Sequence, residues 1–262
     1  MIESPMFFLI LLFLFCLFVR LYPIRNSRTD FDSYGHLYYA YEVNRQKSSP
    51  WGSIKLKCWN SLDFSHPFLW HLIVGKVFGT TKIDRLRWVN GIIDSVYAFS
   101  IFFMLKYLSF DFQISLMGTL LYLFTPMWFS AISMGTRVAS FTPRLVCEVI
   151  IPVIVFLALY ILPSSNLLIG FVSVLLTIFV VMSSKFGIQV LLFTFPLISL
   201  FTNSLELIFI LLAGLLLPIL ISKGEVFNML RRQITHLVDY YYGSKDGRIP
   251  ISDRNKFSKI LA

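Results

Sequence analysis

Two carboxylates at i and i+2, Asp30 and Asp32, open the run Asp30-Phe31-Asp32-Ser33-Tyr34-Gly35-His36. Just past an apolar segment, such a pair converges on a divalent cation or brackets one acceptor hydroxyl. A carboxylate at the edge of a membrane is also a natural general base. The plainer role for Asp32 is an N-cap of the helix that runs on through Tyr41. The two roles are compatible, because a helix N-terminus also favours anions. Farther along, Ser65-His66-Pro67-Phe68-Leu69 offers His66 as a ligand, as an acid–base group or as a cap at a helix start. Three cations sit in later connections, Arg137 after Gly135-Thr136, Arg144 after Thr142-Pro143, and Lys185 after Ser183-Ser184. Arg supplies a planar two-pronged donor and Lys a compact point charge, so together they suit a phosphate. Snorkelling to lipid headgroups is the simpler use of the same cations.

These residues are spaced along an unusually apolar chain. Of 262 residues, 56% are hydrophobic and only 14% charged, against roughly 45–50% and 25% in a soluble domain. A water-soluble fold of this size cannot hide that much apolar surface, which excludes a soluble enzyme and a nucleic-acid-binding module. The three cysteines, Cys16, Cys58 and Cys147, are odd in number and far apart. They form neither a disulfide framework nor a zinc site.

At ~20 residues per crossing, the uncharged stretches predict an all-α polytopic membrane protein with seven spans. These fall near 5–22, 88–108, 112–133, 145–162, 167–183, 187–202 and 205–222. Between the fourth and fifth of them, Pro163-Ser164-Ser165-Asn166 marks a tight break. The loop 23–87 carries surface helices, one of them over Phe64–Gly75, and Trp51, Trp59 and Trp70 suit an interfacial belt. The tail 223–262 repeats Phe227, Leu230, Ile234, Leu237, Val238 and Tyr241 at helical spacing, with Arg231 and Arg232 elsewhere on the turn. That pattern fits a basic amphipathic helix on headgroups, or equally a helix packed on the loop. Seven spans put every cation except Lys106 on one face. The positive-inside tendency makes that face cytoplasmic, although the tendency weakens for loops longer than about 60 residues. Asp94, inside the second span, is expected to pair with Arg85 or Arg87.

The order of these features resembles the GT-C superfamily of integral membrane glycosyltransferases, which includes protein O-mannosyltransferases, the aminoarabinose transferase of lipid A and the catalytic subunit of oligosaccharyltransferase. Asp32-Ser33-Tyr34-Gly35-His36 is similar to the acidic motif of that superfamily, and His66-Pro67-Phe68-Leu69 to its juxtamembrane signature. Thr136-Arg137-Val138-Ala139 is similar to its Arg loop, and Ser184-Lys185 to its later cation. The likeness covers residues 1 to about 205. It implies a polyprenyl-phosphate-linked sugar donor and an extracytoplasmic site. Asp32 would be the catalytic base, and Asp30 would assist it. Lys185, Arg137 and Arg144 would hold the donor phosphate, with His36, His66 and Tyr34 also at the substrate. A divalent ion, Mg or Mn, would sit at Asp30 and Asp32. Members of the superfamily commonly carry a second carboxylate after the Arg loop, where this chain has Thr142-Pro143-Arg144, and they continue with further spans or a soluble domain. A truncated or split transferase is therefore the expectation.

A second reading is a catalytically incomplete subunit that scaffolds or regulates a larger membrane assembly, with a second membrane subunit as its partner. A transporter fits less well, since the spans from Phe112 onward carry no coupling-ion site.

Overall fold

The computed structural model describes residues 5–26, 31–47, 54–55, 63–64, 67–80, 83–125, 141–162 and 167–245. Ten helices are described: α1 (Pro5–Asn26), α2 (Phe31–Arg45), α3 (Leu69–Phe78), α4 (Ile83–Tyr107), α5 (Phe112–Phe124), α6 (Pro143–Phe156), α7 (Leu167–Ser183), α8 (Lys185–Thr202), α9 (Glu206–Ile221) and α10 (Glu225–Lys245). A π-helical turn, Leu157–Ile161, prolongs α6. The strands β1 (Ile54–Lys55) and β2 (Asp63–Phe64) form one short antiparallel pair, Ile54 opposite Phe64.

Side-chain distribution matches a lipid solvent. Phe18, Phe171, Phe193, Leu200, Phe201, Phe209 and Leu220 face outward, while Ser115, Thr119, Ser173, Thr177 and Ser199 are buried between helices. Water would invert that arrangement; hydrocarbon does not, and small polar residues let helices approach closely. At Gly214 a Cβ would stand 2.3 Å from Thr177 Cγ2, and at Gly91 one would stand 2.5 Å from Ile24 Cδ1. Glycine is what lets α9 pack on α7 and α4 on α1.

The expected seven spans are not found. Among the described residues four helical stretches are long and apolar enough to cross a membrane: Met6–Arg25, Trp88–Tyr107, Pro143–Ile161 and Lys185–Thr202. A fifth is added if the bent pair Glu206–Ile221 and Glu225–Arg232 counts as one. The difference is one of length. At 1.5 Å per residue α5 reaches only ~20 Å and α7 ~26 Å, short of a ~30 Å hydrocarbon core. The end of the predicted span 112–133 lies outside the described residues. The partition of cations that rested on seven crossings loses its basis with them.

Two groups of helices make the core. In one, Leu12 and Cys16 of α1 pack on Ala98 and Phe102 of α4 and Leu123 of α5. In the other, α6 to α9 bring together Cys147, Ile154, Val180, Leu191, Phe195, Leu207 and Ile210. Ile24, Leu145 and Val149 join the two. Over one end of the joint lie α2 and α3, where Ala40, Trp70, Val74, Leu86, Val89, Phe141 and Val146 form a shared cluster. Trp70 is therefore a core residue and not part of an interfacial belt: its ring meets Phe179 of α7 edge-on at 6.4 Å. The surface helix expected over Phe64–Gly75 is found at Leu69–Phe78, because Pro67 and Phe68 lie ahead of its first turn.

Candidate functional site

Helix α2 carries the acidic motif. It starts at Phe31, so Asp32 is the second helical residue and not its cap; the capping position falls ahead of Phe31, outside the described residues. Ser33, one residue on, is buried, and its Oγ accepts the backbone N–H of Phe141 at 2.9 Å. That bond ties the start of α2 to a residue 108 positions later. Tyr34 is exposed. His36, one helical turn beyond Asp32, faces α3: His36 Nδ1 and His71 Nε2 share a hydrogen bond of 2.8 Å. The two rings stack at 5.0 Å, and His71 is further boxed edge-on by Tyr39 at 4.9 Å and Phe141 at 6.1 Å. A bond between two imidazoles needs one N–H and one lone pair, so the pair carries at most one extra proton. At the far end of α2, the buried Glu42 carboxylate receives Arg45 Nη2 at 2.7 Å and Gln46 Nε2 at 2.8 Å. The bond to Glu42 and its negative charge hold the Arg45 guanidinium above its ordinary range.

Helix α6 begins beside this point. Thr142 is its N-cap, accepting from the Arg144 N–H at 3.3 Å, with Pro143 in the first turn where a missing N–H costs nothing. The Thr142 carbonyl takes a bond from Asn90 Nδ2 of α4 at 3.0 Å. Arg144 Nε meets Glu148 Oε1 at 2.7 Å, one turn on, and its guanidinium lies over the Phe186 ring at 4.3 Å. Phe186 follows Lys185, the first residue of α8, whose cap is Ser184 accepting from Gly187 N–H at 3.3 Å.

A continuous set of contacts thus runs from Ser33, beside Asp32, through Phe141 and Thr142 to Arg144, and from Arg144 through Phe186 to Lys185. Asp32, His36, Arg144 and Lys185 belong to elements packed at one end of the bundle. Lys106 is at the opposite end of α4 from Asn90, roughly 24 Å away along the helix axis. Asp30, His66 and Arg137 lie outside the described residues, as does the Asp32 side chain.

Beneath this end is a polar group that the sequence reading misassigned. Asp94 pairs with Arg20 of α1, both side chains fully buried, and not with Arg85 or Arg87. Asp94 also accepts the hydroxyl hydrogen bond of Tyr122. Arg20 donates to the Leu123 carbonyl at 2.9 Å and the Tyr122 carbonyl at 3.3 Å. Those carbonyls belong to the last turn of α5, where i→i+4 partners run out; Tyr122 O also takes the Thr125 N–H at 3.4 Å. Arg20 therefore caps α5 from a neighbouring helix. One turn along α4, about 6 Å, separates this pair from the Asn90–Thr142 contact. Arg20 thus holds Tyr122 and Leu123, and Ser33 holds Phe141; residues 126–140, Arg137 among them, lie outside the described residues.

His71, Ser33 and Asn90 were not singled out from sequence. His71 had a signal, since it stands five residues after His66 in the same short motif. Among the described residues no three His, Cys, Asp or Glu side chains are grouped as a metal site would require. No family model, curated protein or solved structure matches the chain.

Proposed function

We propose that this chain is an integral membrane glycosyltransferase that moves a sugar from a polyprenyl-phosphate-linked donor to an acceptor hydroxyl or amine at the extracytoplasmic surface. The supporting observation is the set of contacts linking Ser33, Phe141, Arg144 and Phe186, which brings the elements carrying Asp32, Arg144 and Lys185 to one end. In this mechanism Asp32 takes the acceptor proton as the acceptor attacks the anomeric carbon. The sugar–phosphate bond breaks on the opposite face, and the lipid phosphate leaves with the electron pair. Lys185, Arg137 and Arg144 meet the charge that grows on the phosphate, and such fixed charges act most strongly where water is scarce. Ser33 fixes the start of α2 and His71 orients His36 beside the acceptor.

Asp32→Asn tests the reading. It preserves size and removes the base, so transfer from a polyprenyl-phosphate sugar should fall at least a hundredfold while the variant still inserts and binds farnesyl phosphate. Full activity would end the proposal. Labelling of Cys58 in intact cells tests the side of the membrane: modification only after permeabilisation would move the loop to the cytoplasm.

One observation favours the non-catalytic alternative. Arg144, one of the three proposed phosphate ligands, is already paired with Glu148. A scaffolding subunit would bind no farnesyl phosphate alone and would co-purify with a second membrane subunit.

A further inference from the structure

We propose that α10 is an interfacial arm that seats the site-bearing end of the chain on anionic phospholipid headgroups. Three observations converge on it. First, α9 ends in a Schellman-type turn, with Gly224 N–H bonded to the Ile219 carbonyl at 2.9 Å and Lys223 N–H to that of Leu220 at 3.2 Å. Both Lys223 and Gly224 take positive φ, 52° and 91°. The turn sends α10 off at 117° to α9. For an α9 within the usual tilt of a membrane helix, that angle lays α10 near the membrane plane, leaning back toward the bundle.

Second, the first turns of α10 are docked. Val226 and Met229 are buried against Met182, with Leu69, Ile178 and Ile219 beside them. Met182 lies three residues before Lys185, and Leu69 opens the helix that carries His71. The arm is therefore attached beside the candidate site.

Third, among the described residues nothing covers a different stripe of α10. Phe227, Ile234 and Val238 are exposed by 55%, 63% and 46%. At 100° per residue they share one face with Arg231, roughly a third of a turn from the docked side. Arg232 and Lys223 are exposed as well. An apolar stripe bearing an arginine that can reach outward, flanked by further cations, is complementary to acyl chains topped by phosphates. A protein partner would need a matching apolar groove. Helix α9, from which α10 departs, itself exposes Phe209, Leu216 and Leu220, a surface suited to acyl chains. This attachment is independent of the sugar transfer proposed above.

The test uses the full chain in nanodiscs of phosphatidylcholine alone or with phosphatidylglycerol. Nitroxides are placed at F227C, I234C and T235C in a C58S background; Cys16 and Cys147 are buried. The first two labels should be relaxed by oxygen and shielded from aqueous nickel, and the third should be open to nickel. Nickel access at all three would place α10 in water, and shielding from both reagents would indicate a protein partner or a second copy; either result overturns the proposal. Hydrogen exchange on the unlabelled chain is the second measurement. α10 amides beyond Leu230 should exchange about thirtyfold more slowly in anionic than in neutral discs, the combined effect of two cations at a charged surface. The R231Q/R232Q variant should lose that difference. Equal rates in the two lipids would also overturn it.

Discussion

Removing the charge of Asp94 should destabilise the bundle more than removing both charges of its ion pair. In the folded chain the Arg20 guanidinium is 1% exposed and depends on Asp94 for its counter-charge. It also donates to two neutral carbonyls and lies over the Tyr122 ring at 5.2 Å. Asp94→Asn leaves a cation in an apolar interior. Charged residues at membrane depth cost ~2.5–3.5 kcal/mol, and breaking one side of a buried pair costs ~3–5 kcal/mol. Interhelical hydrogen bonds in membranes average only ~0.6 kcal/mol, so the stranded charge is the larger effect. A loss of about 3 kcal/mol is expected, close to a hundredfold in the folded ratio. Arg20→Met strands the aspartate instead and should cost a similar amount. The double variant Arg20→Met, Asp94→Asn strands neither charge and should be more stable than either single variant. Tyr122→Phe removes one hydrogen bond and should cost ~0.6 kcal/mol. Reversible unfolding of the whole chain by SDS in mixed micelles measures all four. Additive losses in the double variant would refute the reasoning, as would single variants within 1 kcal/mol of the parent.

Other parts of the structure yield shorter tests. Glu148→Gln releases Arg144 from a partly exposed pair worth ~0.2–1 kcal/mol, so farnesyl phosphate should bind up to about fivefold tighter; weaker binding would mean that Glu148 positions Arg144 for the phosphate. Ser33→Ala leaves the buried Phe141 N–H without its acceptor, at ~1–3 kcal/mol; exchange of that amide should speed up at least fivefold, and Ser33→Thr should restore it. Gly214→Val drives a side chain into Thr177, and overpacking of this kind costs ~1–3 kcal/mol; unfolding in SDS should show the loss, and Thr177→Ser should recover part of it by removing the Cγ2 atom that lies 2.3 Å from the added Cβ.

Hydropathy is a measure of what lipid tolerates, and it located the apolar segments well. The stretches in α1, α4, α6 and α8 each overlap a predicted span, though three of them run two or three residues past its bounds. Hydropathy carries no information on where a helix stops. Phe112 to Thr136 is uncharged throughout, yet α5 ends at Phe124. A proline at position 126 has no N–H for the Tyr122 carbonyl and disfavours helical backbone at Thr125, which is extended at φ −63° and ψ 119°; Arg20, 103 residues before Leu123, then bonds the last-turn carbonyls. In the sequence Arg20 looked like the edge of the first span, because a cation after fifteen uncharged residues usually marks the headgroup layer. Its partner Asp94 was assigned to Arg85 or Arg87 by nearness in sequence. Pairing across helices follows from packing, which a single sequence does not show.

The candidate site divides along the same line. Residue types in Asp32-Ser33-Tyr34-Gly35-His36 and Ser184-Lys185 announced their chemistry through side chains that hold protons or anions. The groups that bring those segments together did not. Ser33 acts through a backbone N–H 108 residues away, Asn90 through the Thr142 carbonyl, and Phe186 through its ring face under Arg144. Serine, asparagine and phenylalanine are common enough that none of them stands out until its partner is known. Arg144 shows the consequence. By type it was a candidate phosphate ligand alongside Lys185, but its neighbours make it conditional: Glu148 holds the guanidinium, and the Phe186 ring lies 4.3 Å beneath it. An anion arriving at Lys185 would have to compete with Glu148 for Arg144, so the carboxylate one turn along α6 sets how much of that charge the phosphate receives.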